Sequence, residues 1–467
     1  MWLTHMVTDI GNARIAGLES SLALLPGQYA WLLTAFYMTY IAFEWMTLLY
    51  QAIPPHIYIS ICVLSWGLIA SLQSVSTSFE SLVVFRALLG ISEAAFGPGV
   101  PFYLSFFYRR SELAYRVGLF ISAAQLASSC ASSLAWLIVK LSRDGPLEPW
   151  RALFLVEGFP SIIVAAIAWH IIPDSPSTAR YLTARERKVA KLRLQAEETQ
   201  TSRVQTQHGS HGISLTDILT TLRDPKCYLT SMMFFSANIA FSSLPVFLPT
   251  ILSSATSENH PSALQSQLLS APPYLSAFAF VLLTSHLSDA IPNTRSTFII
   301  LSSLLSSISY ALIALAGHLH STLGPRATFV IRYAGVFGAA MGFFSAVTLI
   351  ITWTINNQSS ATGKGTGVAL LNVIGQCGPL LGTHLYPEED GPFYVSGMVT
   401  CAAFMLGTAG LAAGLRWWLE KLNRLAACED MEMDELGREG EGHGVREGLI
   451  GRSERKRFRQ DKPIYIL

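Results

Sequence analysis

Charged residues are scarce in this sequence. Asp, Glu, Lys and Arg make up 13% of its 467 residues, whereas a soluble domain carries about 25%. The formal net charge is only +1, and no clustered basic face with stacking aromatics is present, so nucleic-acid binding is not expected. Instead, 51% of the residues are hydrophobic and the mean hydropathy is +0.40. Most of the chain is therefore expected to lie in a lipid bilayer.

Catalytic and metal-binding motifs are also missing. Gly363–Lys364–Gly365 lacks the Ser or Thr that follows Lys in a phosphate-binding loop, so ATP is not expected to drive this protein. His318 and His320 stand two positions apart, which does not place them on one side of a helix. We therefore expect no enzyme activity, no metal and no cofactor. The cysteines have no C-x-x-C spacing and are interpreted as small core residues: Cys62, Cys130, Cys227, Cys377, Cys401 and Cys428.

Long apolar stretches make up most of the sequence. A helix needs about 20 mainly apolar residues to cross the hydrocarbon of a bilayer. Eleven stretches meet this requirement: 29–53, 57–77, 81–107, 116–140, 150–173, 226–252, 268–287, 296–318, 325–353, 364–386 and 392–417. Residues 1–18 contain Asp9 and Arg14 within an already short segment. This start could be a loop or the remnant of a first span, and it lacks the basic region and clean apolar core of a signal peptide.

Lys and Arg in short connections set the predicted orientation, because they are retained on the cytoplasmic side. The connection 174–225 is rich in both and should be cytoplasmic, together with a tail from 420 to 467 that we expect to be disordered. This divides the chain into a first membrane half (1–173, first span partial), a central loop (174–225), a second half (226–419) and the tail. Two halves with a substrate site between them are typical of secondary transporters.

Ionisable residues inside a span are costly, so each one is a functional candidate. Arg86 and Glu93 are seven residues apart and lie on one helix face, with Glu44 and Glu157 on other spans. One carboxylate could exchange a proton while Arg86 attracts an anionic substrate. Alternatively, Arg86 and Glu93 could form a static pair that stabilises their helix.

The second half carries amides where the first half carries charges. Amides can orient a small polar substrate by hydrogen bonds. They are equally common as packing contacts between membrane helices, and both interpretations remain open. The candidates, with one neighbouring aromatic, are Asn238, Trp353, Asn356, Asn372 and Gln376.

Several segments resemble one fungal family. The segments are QYAWLLTAFYMTYIAFE, FRALLGISEAAFGPGVPFYLSFFYRRSELAYRVGLF, WRALFLVEGFPSIIVAAIAWHIIPDSPSTARYLTARER and WTINNQSSATGKGTGVALLNVIGQCGPLLGTHLY. They are similar to the fungal anion:cation symporters related to allantoate and nicotinate permeases, within the major facilitator superfamily. The resemblance implies an all-α membrane protein with two six-helix halves. It also implies a monomeric plasma-membrane carrier that moves a small organic anion such as a carboxylate or vitamin together with protons.

The most specific part of the resemblance is an R-x-x-L-G-x-x-E pattern at Arg86, Leu89, Gly90 and Glu93. The resemblance assigns a structural and gating role at the cytoplasmic end to a neighbouring set of residues. That set is Arg109, Arg110, Glu112 and Arg116, and a charged pair in the second half, Asp289 with Arg295, is the matching gate candidate.

Two departures from the family pattern qualify the expectation. The N-terminus retains only VTDIGNAR of the usual end of the first span, which leaves eleven clear spans and a partial one. The loop YQAIPPHIY also lacks the charges of the superfamily gate. Two rival hypotheses therefore remain: an exporter of a small secondary metabolite or drug, and an inactive or sensor remnant that lacks a complete first helix.

Overall fold

Helices form the regular structure of this protein in the computed structural model. The structure describes residues 10, 13–14, 16–25, 27–142, 145–201, 213–241, 263–358, 360–382, 385–386, 390–391, 393–441 and 465–467. No strand occurs among these described residues. The all-helical class predicted from the sequence is confirmed there.

The first group of helices precedes the central connection. In chain order they are α1 (Leu18–Ser21), α2 (Gln28–Phe43), α3 (Pro55–Leu72), α4 (Phe79–Ala94), α5 (Gly99–Leu104), α6 (Leu113–Ser142) and α7 (Pro149–Ile171). A 3₁₀ helix, Glu44–Gln51, continues α2 directly, and a second one, Gln73–Val75, follows α3. These helices belong to the first half predicted from the sequence, residues 1–173.

The remaining helices belong to the connection and to the second half. The connection contains α8 (Ala184–Thr201) and α9 (Leu215–Arg223). The second half consists of α10 (Pro225–Phe241), α11 (Ala263–Ala290), α12 (Arg295–His318), α13 (His320–Asn356), α14 (Ala361–Gly375), α15 (Cys377–Gly382) and α16 (Val395–Glu441).

Each of the eleven predicted apolar stretches overlaps a described helix. By length and composition alone, six helical segments of the described chain could cross a membrane. They are Trp31–Gln51, Pro55–Val75, Pro149–Ile171, Arg295–His318, His320–Asn356 and Val395–Leu425. The spanning role of the other stretches stays a prediction.

Two of the predicted continuous spans are broken at prolines. Helix α4 ends at Ala94, four residues before Pro98, and α14 ends at Gly375, four residues before Pro379. A proline has no N–H to donate to the carbonyl four residues earlier, and its ring clashes with that carbonyl. The spans 81–107 and 364–386 therefore each consist of two helices in the structure.

The sequence prediction also concerned the two ends of the chain, a partial first span and a disordered tail. Residues 1–9 lie outside the described residues, so the incomplete first span stays a prediction. At the other end, α16 continues to Glu441 into the range where we expected a disordered tail. Residues 420–441 are rich in strong helix formers such as Glu, Leu, Met and Ala, which explains why the last helix does not stop at the predicted boundary.

Small residues allow the helices to approach closely. Where α12 crosses α13, a Cβ on Gly342 would lie 2.4 Å from the carbonyl oxygen of Ser302, and the Ser302 and Ser345 hydroxyls are 2.9 Å apart. Where α3 crosses α7, a Cβ on Gly158 would lie 2.9 Å from the carbonyl oxygen of Gly67. Such close approach is the usual way in which membrane helices gain packing energy.

The two halves meet along α6 and α11. A Cβ on Gly118 of α6 would lie 2.6 Å from the Ser285 hydroxyl of α11, so only glycine permits this approach. A second contact joins α14 to the 3₁₀ helix after α2, where Thr362 donates a hydrogen bond to Gln51 at 3.0 Å. These two contacts pack the two halves, and with them their candidate residues, against each other.

Candidate functional site

A buried cluster of carboxyl and phenol groups lies where α2 crosses α4. Gly90 makes this crossing possible, because a Cβ there would lie 2.5 Å from the carbonyl oxygen of Phe36 and 2.3 Å from the Thr39 hydroxyl. One turn further along α4, Glu93 is 2% exposed and lies within electrostatic range of Tyr40. The glycine of the R-x-x-L-G-x-x-E pattern therefore brings its glutamate against α2.

Glu44 belongs to the same cluster. It begins the 3₁₀ helix that continues α2, and its side chain is fully buried. Tyr40, one turn earlier, lies beside the Glu44 carboxyl and is also close to Glu93. No well-formed hydrogen bond reaches either carboxyl oxygen of Glu44 from the described part of the chain. Tyr40 thus lies near two buried carboxyl groups from different helices.

Arg86 shares the buried face of α4 with Glu93 but lies at a different depth. Its guanidinium carbon is 5.7 Å from the ring centroid of Phe154 on α7, within range of a cation–π interaction. Seven residues of helix correspond to a rise of about 10 Å. Glu157, one turn beyond Phe154, is only partly buried. Arg86 therefore links α4 to α7, while Glu93 faces α2.

A second polar cluster joins the two halves at one end of the bundle, which we call the closed end. Asp289, the penultimate residue of α11, accepts hydrogen bonds from the backbone N–H groups of Ala114 at 3.3 Å and Tyr115 at 2.7 Å. These N–H groups open α6, whose positive dipole end favours a carboxylate. Arg295 forms an ion pair with Asp289 at 2.5 Å, and both side chains are almost completely buried.

Arg110 completes the closed end through its backbone. Its carbonyl oxygen accepts hydrogen bonds from Asn356 at 2.9 Å and from Arg295 at 3.4 Å. In return, the Arg110 guanidinium donates to the carbonyl oxygen of Gln358 at 3.2 Å. The loop between α5 and α6 is therefore held by residues from three elements of the second half.

A family model described as Major Facilitator Superfamily matches residues 2–383 of this sequence. The chain belongs to the major facilitator superfamily. It is therefore a multi-pass membrane transporter and not an enzyme, and the superfamily membership predicted from the sequence is confirmed.

Individual relatives agree with this assignment. The chain is 28% identical over 395 residues to the MFS transporter prlL of a fungal species (strain NRRL 50135), covering 82% of this chain and 75% of that protein. It is 26% identical over 400 residues to the high-affinity nicotinic acid transporter of Saccharomyces cerevisiae, covering 85% and 70%. The solved structure of the proton:xylose symporter XylE bound to 6-bromo-6-deoxy-D-glucose has the same fold, with a TM-score of 0.64 at 12% identity, covering 88% and 91%.

The major facilitator fold does not bring the five second-half candidates into one site. Asn238 donates to the carbonyl oxygen of Gly375 at 3.1 Å, which is the carbonyl that Pro379 leaves without its helical partner. Asn372 donates to its own helix at the carbonyl of Val368. Gln376 adjoins Gly375, and its backbone N–H donates to the Asn372 carbonyl at 2.8 Å. Asn356 lies at the closed end, and Trp353 donates to the carbonyl of Ile466.

The other gate candidates lie around the closed end. Glu112 forms a short ion pair with Arg193 of α8, and Arg109 donates to the carbonyl oxygen of Arg193 at 3.3 Å. The guanidinium carbon of Arg116 lies 5.0 Å from the ring centroid of Tyr108. This set therefore ties the central connection to the first half, beside the contacts that join the halves.

Two features of this transporter were missed in the sequence. Arg332 lies within the predicted span 325–353 and is 1% exposed, and it donates a hydrogen bond to the carbonyl oxygen of Phe393 at 3.4 Å. A count of ionisable residues inside spans could have found it. Tyr40 gave no such signal, because a tyrosine inside an apolar helix is ordinary until its neighbours are known.

Proposed function

We propose that this transporter takes up a small organic anion together with protons, by alternating access between its two halves. The yeast relative named for nicotinic acid, which is a carboxylic acid, supports the anionic substrate. The neighbour described as a proton:xylose symporter supports coupling to protons. We expect the substrate to bind near mid-membrane between the halves, in a plasma membrane, with the closed end on the cytoplasmic side.

The observation that carries the proton-coupling proposal is the buried cluster around Tyr40. Glu44 is fully buried, and the Tyr40 hydroxyl lies beside its carboxyl group. An ionised carboxylate in such a place costs several kcal/mol. The conformation in this structure therefore suits a carboxyl group that carries its proton. A carrier needs such a group in one conformation and an ionised one in the other.

The crossing at Gly90 offers a physical route between these states. Tyr40 and Glu44 lie on α2 and its continuation and Glu93 lies on α4, so sliding of the two helices changes the distance of the Glu93 carboxyl from both Tyr40 and Glu44. A hydroxyl group can accept a hydrogen bond from a protonated carboxyl or donate one to an ionised carboxylate. In this mechanism Tyr40 stabilises either charge state, and Arg86 attracts the anion from its different depth.

Transport in vesicles that contain the purified protein tests this proposal. Radiolabelled nicotinate is the first substrate probe, followed by a panel of other carboxylates, with and without an imposed pH gradient. We expect Glu44→Gln and Glu93→Gln to abolish gradient-driven accumulation while counterflow exchange of substrate continues. Glu80→Gln is the matched control, because Glu80 lies on the same helix as Glu93 but is exposed to solvent.

The outcomes separate the competing functions. Accumulation that ignores the pH gradient in the unmodified protein would refute proton coupling. Efflux of a neutral metabolite in preference to uptake of any carboxylate would favour the exporter. Unchanged gradient dependence in both glutamate variants would remove the Tyr40 cluster from the mechanism while leaving the transporter assignment intact.

A further inference from the structure

A short segment, Tyr465–Leu467, is held at the closed end by hydrogen bonds to its backbone. Asn423 of α16 forms a matched pair with Tyr465: the Tyr465 N–H donates to the Asn423 side-chain oxygen at 3.1 Å, and the Asn423 amide donates to the Tyr465 carbonyl at 3.1 Å. Both backbone groups of one residue are thus satisfied by one side chain. This fixes the register of the segment.

Ile466 is held in the same way by Asn357, which directly follows α13. The Ile466 N–H donates to the side-chain oxygen of Asn357 at 3.0 Å, and the Asn357 amide donates back to the Ile466 carbonyl at 3.3 Å. That carbonyl also accepts from the Trp353 indole at 2.6 Å. Recognition of consecutive backbone groups is how proteins bind extended peptides irrespective of much of their sequence.

Side-chain contacts add selectivity to this backbone recognition. The ammonium nitrogen of Lys226 at the start of α10 lies 4.0 Å from the ring centroid of Tyr465, a cation–π geometry. Tyr465 and Leu467 both pack against the hydrophobic core of the second half. The site therefore suits an extended segment with an aromatic residue followed two positions later by an aliphatic one.

The segment is connected to the contact between the halves through two adjacent residues. Asn357 binds the segment, and its neighbour Gln358 accepts the hydrogen bond from Arg110 of the first half. The Gln358 amide also donates to the sulfur of Cys227 at 3.1 Å. Asn357, Gln358 and Cys227 line one small cleft. Movement of the segment would therefore release Asn357 and, with it, the neighbouring Gln358, which accepts the hydrogen bond from Arg110.

We propose that Tyr465–Leu467 is an intramolecular peptide ligand that latches the closed end. While it is bound, it holds the turn after α13 in the position that Arg110 requires. When it leaves, that turn is free to move and the closed end opens more readily. The latch is a regulatory device that does not depend on which substrate the transporter carries.

Thiol labelling of Cys227 tests the latch directly. Cys227 is 1% exposed, so its alkylation by a maleimide requires Gln358 to move away. The full-length protein, with its five other cysteines replaced, is labelled in membranes. We expect Ile466→Pro, which removes the N–H that Asn357 accepts, and Asn423→Ala, which removes both bonds to Tyr465, each to raise the labelling rate about tenfold.

A control and a rescue make the result decisive. Arg424→Ala changes an exposed residue next to Asn423 on the same helix and should leave the labelling rate unchanged. A synthetic peptide with the sequence Lys-Pro-Ile-Tyr-Ile-Leu should restore protection of Cys227 in the Ile466→Pro variant, and a scrambled peptide should not. Unchanged labelling in both variants, or faster labelling that neither peptide reverses, would overturn the latch.

Discussion

The carboxylate of Asp289 should control how readily the closed end opens. In the Asp289→Asn variant the ion pair with Arg295 is lost, but both residues belong to the second half, so that loss does not by itself favour an open state. What changes between closed and open states is the pair of hydrogen bonds from Ala114 and Tyr115 of the first half. The variant therefore isolates a contact between the halves.

The magnitude follows from the chemistry of that contact. Asparagine retains one accepting oxygen but loses the negative charge at the N-terminus of α6. A hydrogen bond to a charged group contributes about 1.5–3 kcal/mol, and a partly buried charge at a helix terminus contributes up to about 2 kcal/mol. Because these contributions overlap, we expect a loss of about 2 kcal/mol. This shifts the equilibrium between closed and open states about 30-fold toward opening.

A cysteine at position 285 reports the opening. Ser285 is fully buried where α11 meets α6, so Ser285→Cys in a background without other cysteines is labelled only when the halves separate. We expect Asp289→Asn to accelerate labelling about 30-fold. Glu420→Gln is the control, because its pair with Arg416 is partly exposed and such pairs contribute at most about 1 kcal/mol. Equal labelling rates in the two variants would refute the reasoning.

Two further predictions concern stability. Gly90→Ala places a Cβ 2.5 Å from the Phe36 carbonyl oxygen, a backbone atom that cannot rotate away, so we expect a loss of about 1–3 kcal/mol in thermal unfolding. Gly410→Ala, with no atom within 4 Å, should not destabilise. Hydrogen bonds from the Ser21 hydroxyl and from Arg151 lower the pKa of Glu148. Ionised Glu148 should therefore stabilise the folded protein above about pH 4, and this stabilisation should be lost as the pH falls further. The melting temperatures of the unmodified protein and Glu148→Gln should converge in acid, and a constant difference would contradict this.

The helices were predictable because the bilayer imposes a simple requirement on sequence. A span must be apolar over about 20 residues, and each of the eleven stretches identified in this way overlaps a described helix, while six described segments are long and apolar enough to span. The breaks after Ala94 and Gly375 were also encoded, since each lies four residues before a proline. We missed them because hydropathy counts composition and does not consider which carbonyl loses its partner. Backbone hydrogen bonding and hydropathy have to be considered together.

The candidate site was less predictable because its partners come from distant parts of the chain. The spacing of Arg86 and Glu93 predicts a shared helix face, and both side chains are buried in the structure. Nothing in that spacing indicates that Gly90 brings Tyr40 against the same helix. The amides show the same limit: Asn238 completes a helix that Pro379 interrupts, and only the fold reveals that the carbonyl it binds is free.

The closed end explains how the first half can lack a charged gate loop. Side chains of the second half bind backbone groups of the first: Asp289 binds N–H groups of α6, while Arg295 and Asn356 bind the Arg110 carbonyl. Backbone groups are present whatever the side chain, so these contacts need no charge on the first half, while the Arg110 guanidinium adds a contact to the Gln358 carbonyl. In the loop YQAIPPHIY, His56 contacts Asp174, the first residue of the central connection, and Gln51 contacts the second half through a neutral hydrogen bond that it accepts from Thr362. The contacts that join the halves at the closed end therefore combine charged side chains of the second half with Arg110 of the first half.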